Sequence, residues 1–210
     1  MYVIVGLGNP DQEYLNTRHN AGWLMLDYLQ STINTPEWHA EKKFSALVSE
    51  GVLSDQKVML VKPTTYMNDS GKAVSAIMNF YKLTPDKLIV VHDDKDLTWG
   101  EIKIQSGRGD AGHNGVKSIT AAVSTKEYTR VRLGVKNELT DTIDTANFVL
   151  GKFTPSEIAD LSGIFESATK QLLEYIKWTR WPTTPITPKW PRLAPSASGS
   201  FSVSNKIAIR

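Results

Sequence analysis

Four histidines and no cysteine set the chemical repertoire of this 210-residue chain. Without cysteine there is no thiolate nucleophile, no thiolate metal site and no disulfide. The first histidine is the best placed. Thr17-Arg18-His19-Asn20-Ala21-Gly22 lies just before a helical pattern, and the positive end of a helix dipole favours the neutral imidazole that a general base requires. Its structural alternative is a helix-entry residue with no chemistry. His92-Asp93-Asp94-Lys95-Asp96 ends an apolar run. Imidazole and carboxylate are metal-ligand types, but neighbours on a strand face opposite ways, so at most alternate members converge. Asp94 and Asp96 read as solvated loop acids. Asp93 stays a candidate, because sites in α/β sheets collect at strand carboxyl ends. His39 falls in a polar stretch and is expected to be exposed.

Two glycine-rich stretches invite nucleotide chemistry and fail it. Gly6-Leu7-Gly8 would need a third glycine where Asp11 stands, and Pro10 interrupts the helix start. Residues 107–115 lack the Gly-Lys-Ser/Thr ending of a phosphate loop, since Val116 separates Gly115 from Lys117. Residues 63–71 connect a strand to a helix, and an Asn, Asp or Ser there is a natural cap.

The elements that must position these residues alternate between strand and helix. Residues 2–7 form an apolar run stopped by Gly8-Asn9-Pro10, as in a strand buried on both faces. Residues 57–61 and 88–91 repeat that signal with β-branched residues. Ala21, Leu24, Met25, Tyr28 and Leu29 keep a helical spacing, as do Ala73, Val74, Ile77, Met78 and Tyr81 before Pro85. Val131, Leu133 and Val135 alternate with Arg130 and Arg132, the arginines facing away from the core. Thr154, Pro155 and Glu157 open the last helix with a capping box, and Ile158, Leu161, Phe165, Ala168, Leu172 and Tyr175 are its expected core face. The pattern predicts a single three-layer α/β domain, its mixed, largely parallel twisted sheet flanked by helices.

Charge divides the chain. From residue 177 on there are six basic side chains and no acidic one, which leaves residues 1–176 with 18 basic and 22 acidic groups. Five of ten prolines and three of six tryptophans lie in that tail. We therefore expect a domain over residues 1–176 and a basic tail over 177–210, extended and solvated, with RNA contact as its functional alternative. No apolar run reaches the ~18 residues of a membrane span and no basic leader precedes the first strand, so a cytoplasmic monomer without membrane contact is expected.

Gly6-Leu7-Gly8-Asn9-Pro10 with Tyr14, residues 17–22, residues 63–71, His92-Asp93 and Gly112-His113-Asn114-Gly115 together closely resemble bacterial-type peptidyl-tRNA hydrolase, in order and spacing, over residues 1–176. The resemblance implies hydrolysis of the ester between a peptide and the tRNA 3′ end, with no metal and no cofactor. It makes His19 the base that activates water, Asp93 its orienting partner, and Asn9 the residue that separates N-blocked from free aminoacyl esters. Tyr14, Tyr66, Asn68 and Asn114, with Met67 and His113 beside them, would position the tRNA 3′ end and the peptide. Two positions depart from the family pattern. Ala111 replaces a glycine, and Gln105 replaces a lysine of the clamp for the tRNA 5′ phosphate. Arg132 matches the clamp's arginine, and Lys103, two residues before Gln105 on the same strand face, is its candidate substitute. The alternative class is a catalytically silent RNA-binding module on the same fold, as in a related plant organellar splicing factor. A third, a metal hydrolase built on His92 and Asp96, would lose activity in chelator.

Overall fold

A computed structural model describes residues 1–140 and 142–179. The chain order is β1 (Tyr2–Gly6), α1 (Ala21–Thr32), β2 (His39–Glu41), β3 (Ala46–Leu53), β4 (Gln56–Pro63), α2 (Ser70–Phe80), β5 (Leu88–Thr98), β6 (Ile102–Ser106), α3 (Asn114–Val123), β7 (Thr129–Lys136), α4 (Thr145–Leu150) and α5 (Pro155–Trp178). Seven strands make one sheet in the order β2-β3-β4-β1-β5-β7-β6. The central strands β4, β1, β5 and β7 are parallel, and the outer pairs β2/β3, β3/β4 and β6/β7 are antiparallel.

Both sheet faces are covered, so β1, β4 and the first half of β5 read as continuous apolar runs. Ile4, Leu60, Ile89, Val91, Val131 and Leu133 pack with Met25 and Leu26 of α1, Phe148 of α4, and Phe165 and Leu172 of α5. Val3, Val5, Met59, Val61 and Val90 pack on the other side with Val74 and Ile77 of α2 and Val116 and Ile119 of α3. Each such fully buried side chain stabilises the fold by about 1.5–3 kcal/mol over an exposed one.

The start of α1 lies hard against the sheet. A Cβ on Gly6 would stand 2.4 Å from the Gly22 carbonyl oxygen, and one on Gly22 would stand 2.4 Å from that of Val91. Only paired glycines admit this approach, and it holds the turn Arg18–Asn20 over the carboxyl ends of β1 and β5.

Several expectations change. β5 runs to Thr98, so residues 92–96 are strand and not loop. Asp94 is buried and ion-paired, not solvated. His39 is exposed as expected but belongs to β2. Arg130 is fully buried, donating to the carbonyls of Gly109 (2.8 Å) and Arg108 and so anchoring the glycine-rich loop. No side chain of residues 68–70 caps α2; Ser70 Oγ donates to the Met67 carbonyl instead. The capping box on α5 is present, but Ile158 is exposed while Glu157 turns inward. Elements β3, α3 and α4 had no counterpart among the sequence signals above. Helix α5 continues through residues 177 and 178, and the tail expected over 177–210 lies, from residue 180 on, outside the described residues.

Candidate active site

A cavity of about 590 Å³ opens at the carboxyl ends of the central strands. It is lined by Asn9, Tyr14, His19, Tyr66, Met67, Asn68, Asp93, His113 and Asn114, nine of the eleven residues singled out from the sequence. The loop after β1 supplies Asn9 and Tyr14, the turn before α1 supplies His19, and the β4–α2 connection supplies Tyr66, Met67 and Asn68. Asp93 comes from β5, and His113 and Asn114 from the start of α3.

Asp93 is the hub. Its side chain is 2% exposed, and Oδ1 lies 3.0 Å from His19 Nδ1 and 3.0 Å from His113 Nε2. A carboxylate only accepts, so both nitrogens must donate. His113 has no freedom to do otherwise. Its Nδ1 accepts the backbone N–H groups of Gly115 (3.2 Å) and Val116 (3.4 Å) as the cap of α3, which leaves the proton on Nε2. His19 donates from Nδ1 and therefore presents the Nε2 lone pair, the tautomer a general base uses.

The electrostatics follow from burial and charge. Burial lowers the pKa of His19, while the charge and hydrogen bond of Asp93 raise it, and the net direction is upward. The helix terminus, expected to favour the neutral ring, is outweighed by the charge of the carboxylate in contact with it. Burial works against the Asp93 carboxylate, yet His19 and His113 hold its pKa well below the usual carboxylate range. His92 is wholly buried, and desolvation pushes its pKa far down. It stays neutral, donates from Nδ1 to the Asp93 carbonyl (2.7 Å), and sets no charge against His19.

Asn9 is oriented as firmly. Its Oδ1 accepts from Met67 N (2.9 Å), and its backbone N–H and carbonyl are clasped by the Asn20 side chain (2.9 and 3.0 Å). The Asn9 Nδ2 donors are left for the cavity it lines. Tyr66 donates to Asp11 (2.5 Å), which ties the mouth of the cavity to the β1 loop.

Lys103 and Arg132 are not in the cavity lining. They are cross-strand partners on β6 and β7. Lys103 is half-exposed and pairs with Glu101 (2.7 Å); Arg132 donates to Asp94 (2.7 Å) and to Gln105 (2.8 Å). Sequence reasoning missed the outer wall, Asp144–Leu150 around α4, whose only local signal is Asp144 capping its neighbours.

His19, Asp93 and His113 are the one group among the described residues with three ligand-type atoms close together, within 4.8 Å of one another. Asp93 is hydrogen-bonded to each histidine, so a metal would have to displace both of those protons. The His92–Asp96 pairing of the metal alternative does not form: Asp96 takes Lys95 and His92 turns to the backbone.

Fold and cavity define an α/β sheet protein whose carboxyl edge holds an oriented imidazole and a buried carboxylate in one cavity. The peptidyl-tRNA hydrolase family model matches residues 3–183. A Bdellovibrio bacteriovorus peptidyl-tRNA hydrolase is 42% identical over 168 residues, covering 80% of this chain and 89% of that protein. One from Anaeromyxobacter sp. is 44% identical over 170 residues, covering 81% and 87%. The crystal structure of peptidyl-tRNA hydrolase from Acinetobacter baumannii superposes with a TM-score of 0.77 at 31% identity, covering 86% of this chain and 91% of that one. The chain belongs to the peptidyl-tRNA hydrolase family. Among the described residues no helix is long and apolar enough to cross a membrane.

Proposed function

We propose that this chain hydrolyses the ester linking a peptide to the 3′ end of tRNA, with His19 as general base. The observation that carries the assignment is the His19–Asp93–His113 chain, which leaves His19 Nε2 as an acceptor facing the cavity. Water bound there loses a proton to Nε2 as its oxygen attacks the ester carbonyl carbon. Asp93 offsets the positive charge that forms on the imidazole. Asn9 Nδ2 donates to the developing oxyanion and favours substrates whose α-nitrogen is acylated. Collapse breaks the bond to the ribose oxygen, His19 returns the proton to it, and free peptide and tRNA leave. Tyr14, Tyr66, Asn68 and Asn114 position the terminal nucleotide and the peptide. No step needs a metal or a nucleophilic side chain.

The same reading has the chain working as a monomer in the cytoplasm, where translation supplies its substrate. A module that only binds RNA has no use for a buried carboxylate orienting an imidazole, and no finding favours it. The test is release of N-acetylaminoacyl ester from tRNA, with and without chelator. His19→Ala should lower turnover by at least about 10²-fold and leave tRNA binding intact. Near-normal turnover of that variant, or loss of parental activity in chelator, refutes the assignment.

A further inference from the structure

The turn that carries His19 is held from behind by a buried charge that lies outside the catalytic cavity. Arg18 is 4% exposed. Its Nη2 donates to both oxygens of Glu157 (3.0 and 2.8 Å) and its Nη1 to the Lys152 carbonyl (3.1 Å). The guanidinium also lies over the rings of Phe148 (4.8 Å) and Phe153 (5.7 Å). The backbone repeats the link: Arg18 N–H donates to Gly151, Phe153 N–H to Asn16, and Thr17 bridges Lys152.

Glu157 gathers more than Arg18. Oε2 accepts the Thr154 N–H (2.7 Å) and Oε1 accepts Asn137 Nδ2 (2.8 Å). Asn137 directly follows β7, and Thr154 directly precedes α5. One buried carboxylate therefore joins the two ends of the stretch carrying α4, the outer wall of the cavity, to the residue next to His19. A capping box needs only the Thr154 contacts. The Arg18 and Asn137 contacts are surplus to capping and lead to the site.

We propose that Glu157 is a positioning residue for the hydrolysis, setting His19 and the α4 wall in register through Arg18. It touches no reacting atom. Misplacement of a reacting group by about 1 Å costs up to about 10²-fold, so the effect belongs in kcat as well as KM. The inference rests on His19 as the base, and the test separates the two.

Glu157→Gln keeps an acceptor for Thr154 and removes the charge. Arg18→Met leaves the capping box whole. Each should lower kcat for N-acetylaminoacyl-tRNA by about 5- to 100-fold at temperatures well below its melting point. The double variant should be no slower than the worse single, because both act through one link. Thr154→Ala, which weakens α5 without touching the Arg18 pair, should leave kcat at the parental value. His19→Ala is run alongside. If it is inactive while Arg18→Met and any folded Glu157→Gln match the parent, the positioning role is overturned and the base assignment stands. If Thr154→Ala slows turnover as much as Glu157→Gln, Glu157 only caps its helix and the proposal also fails. Should Glu157→Gln not fold, Arg18→Met against Thr154→Ala decides by the same criteria. An active His19→Ala overturns the base assignment and, with it, the inference.

Discussion

Replacing Asp93 by asparagine changes one atom of the side chain and should invert the chemistry of His19. The amide has one acceptor and one donor end where the carboxylate had two acceptors. His113 Nε2 must donate, because its Nδ1 is committed to the N–H groups of Gly115 and Val116. The amide oxygen therefore turns to His113, and the NH₂ faces His19 Nδ1, 3.0 Å away in the parent. That nitrogen must now accept, the proton moves to Nε2, and the lone pair facing water is gone. The forming imidazolium also loses its counter-charge. Unit charges about 4 Å apart at an effective dielectric constant near 20 interact by roughly 4 kcal/mol, about 10³-fold in rate. We expect kcat to fall by about 10²–10⁴-fold with KM little changed. The pH profile gives an independent sign. In the parent, Asp93 holds the His19 pKa above its ordinary 6.5, and activity needs the neutral ring, so the acidic limb lies above 6.5. In the variant the raising charge is gone while burial remains, so the limb moves to lower pH. The assay is single-turnover release of N-acetylaminoacyl ester from pH 5 to 9, with ¹⁵N spectra reporting the ring tautomer. A variant within tenfold of the parent, or one with the parental limb, would refute the reasoning.

Asn9→Ala removes a cavity donor and leaves Met67 N–H without its acceptor. Turnover should drop about 10²-fold and the preference for N-blocked over free aminoacyl esters should narrow, as parallel assays of the two esters will show. Lys103→Ala breaks only an exposed pair with Glu101. It should leave urea melts within about 1 kcal/mol while raising KM for whole tRNA esters more than for short fragments, in a salt-sensitive way; equal effects on both substrates would remove it from phosphate binding. Arg132→Ala strands the buried Asp94 carboxylate and should cost about 3 kcal/mol in the same melts. Ala111 occupies a positive-φ position (51°) that suits glycine, so Ala111→Gly should stabilise the fold by about 0.5–1 kcal/mol.

The sequence by itself determined whatever depends on neighbours a few residues apart. The apolar run of β1, the alternation of β7, the α1 and α2 faces and the Thr154–Glu157 capping box are set by backbone periodicity and local hydrogen bonds, and they were legible. The candidate site was legible for a different reason: five short motifs, each ambiguous alone, match one family in order and spacing. What only the tertiary structure decided is where polar groups found partners far along the chain. His19 meets Asp93 across 74 residues, and Arg18 meets Glu157 across 139. Glu157 reads in sequence as a helix cap and Asp94 as a solvated acid, yet both are buried carboxylates held by arginines. Arg130 and Arg132 look alike on an alternating strand, but one anchors the glycine-rich loop and the other neutralises Asp94. Even the proton position on His19 is set remotely, by the Asp93 carboxylate, which can only accept from Nδ1. A residue's type limits what it can donate or accept, and only the folded neighbourhood, through burial and the nearest opposite charge, decides which of those options is used.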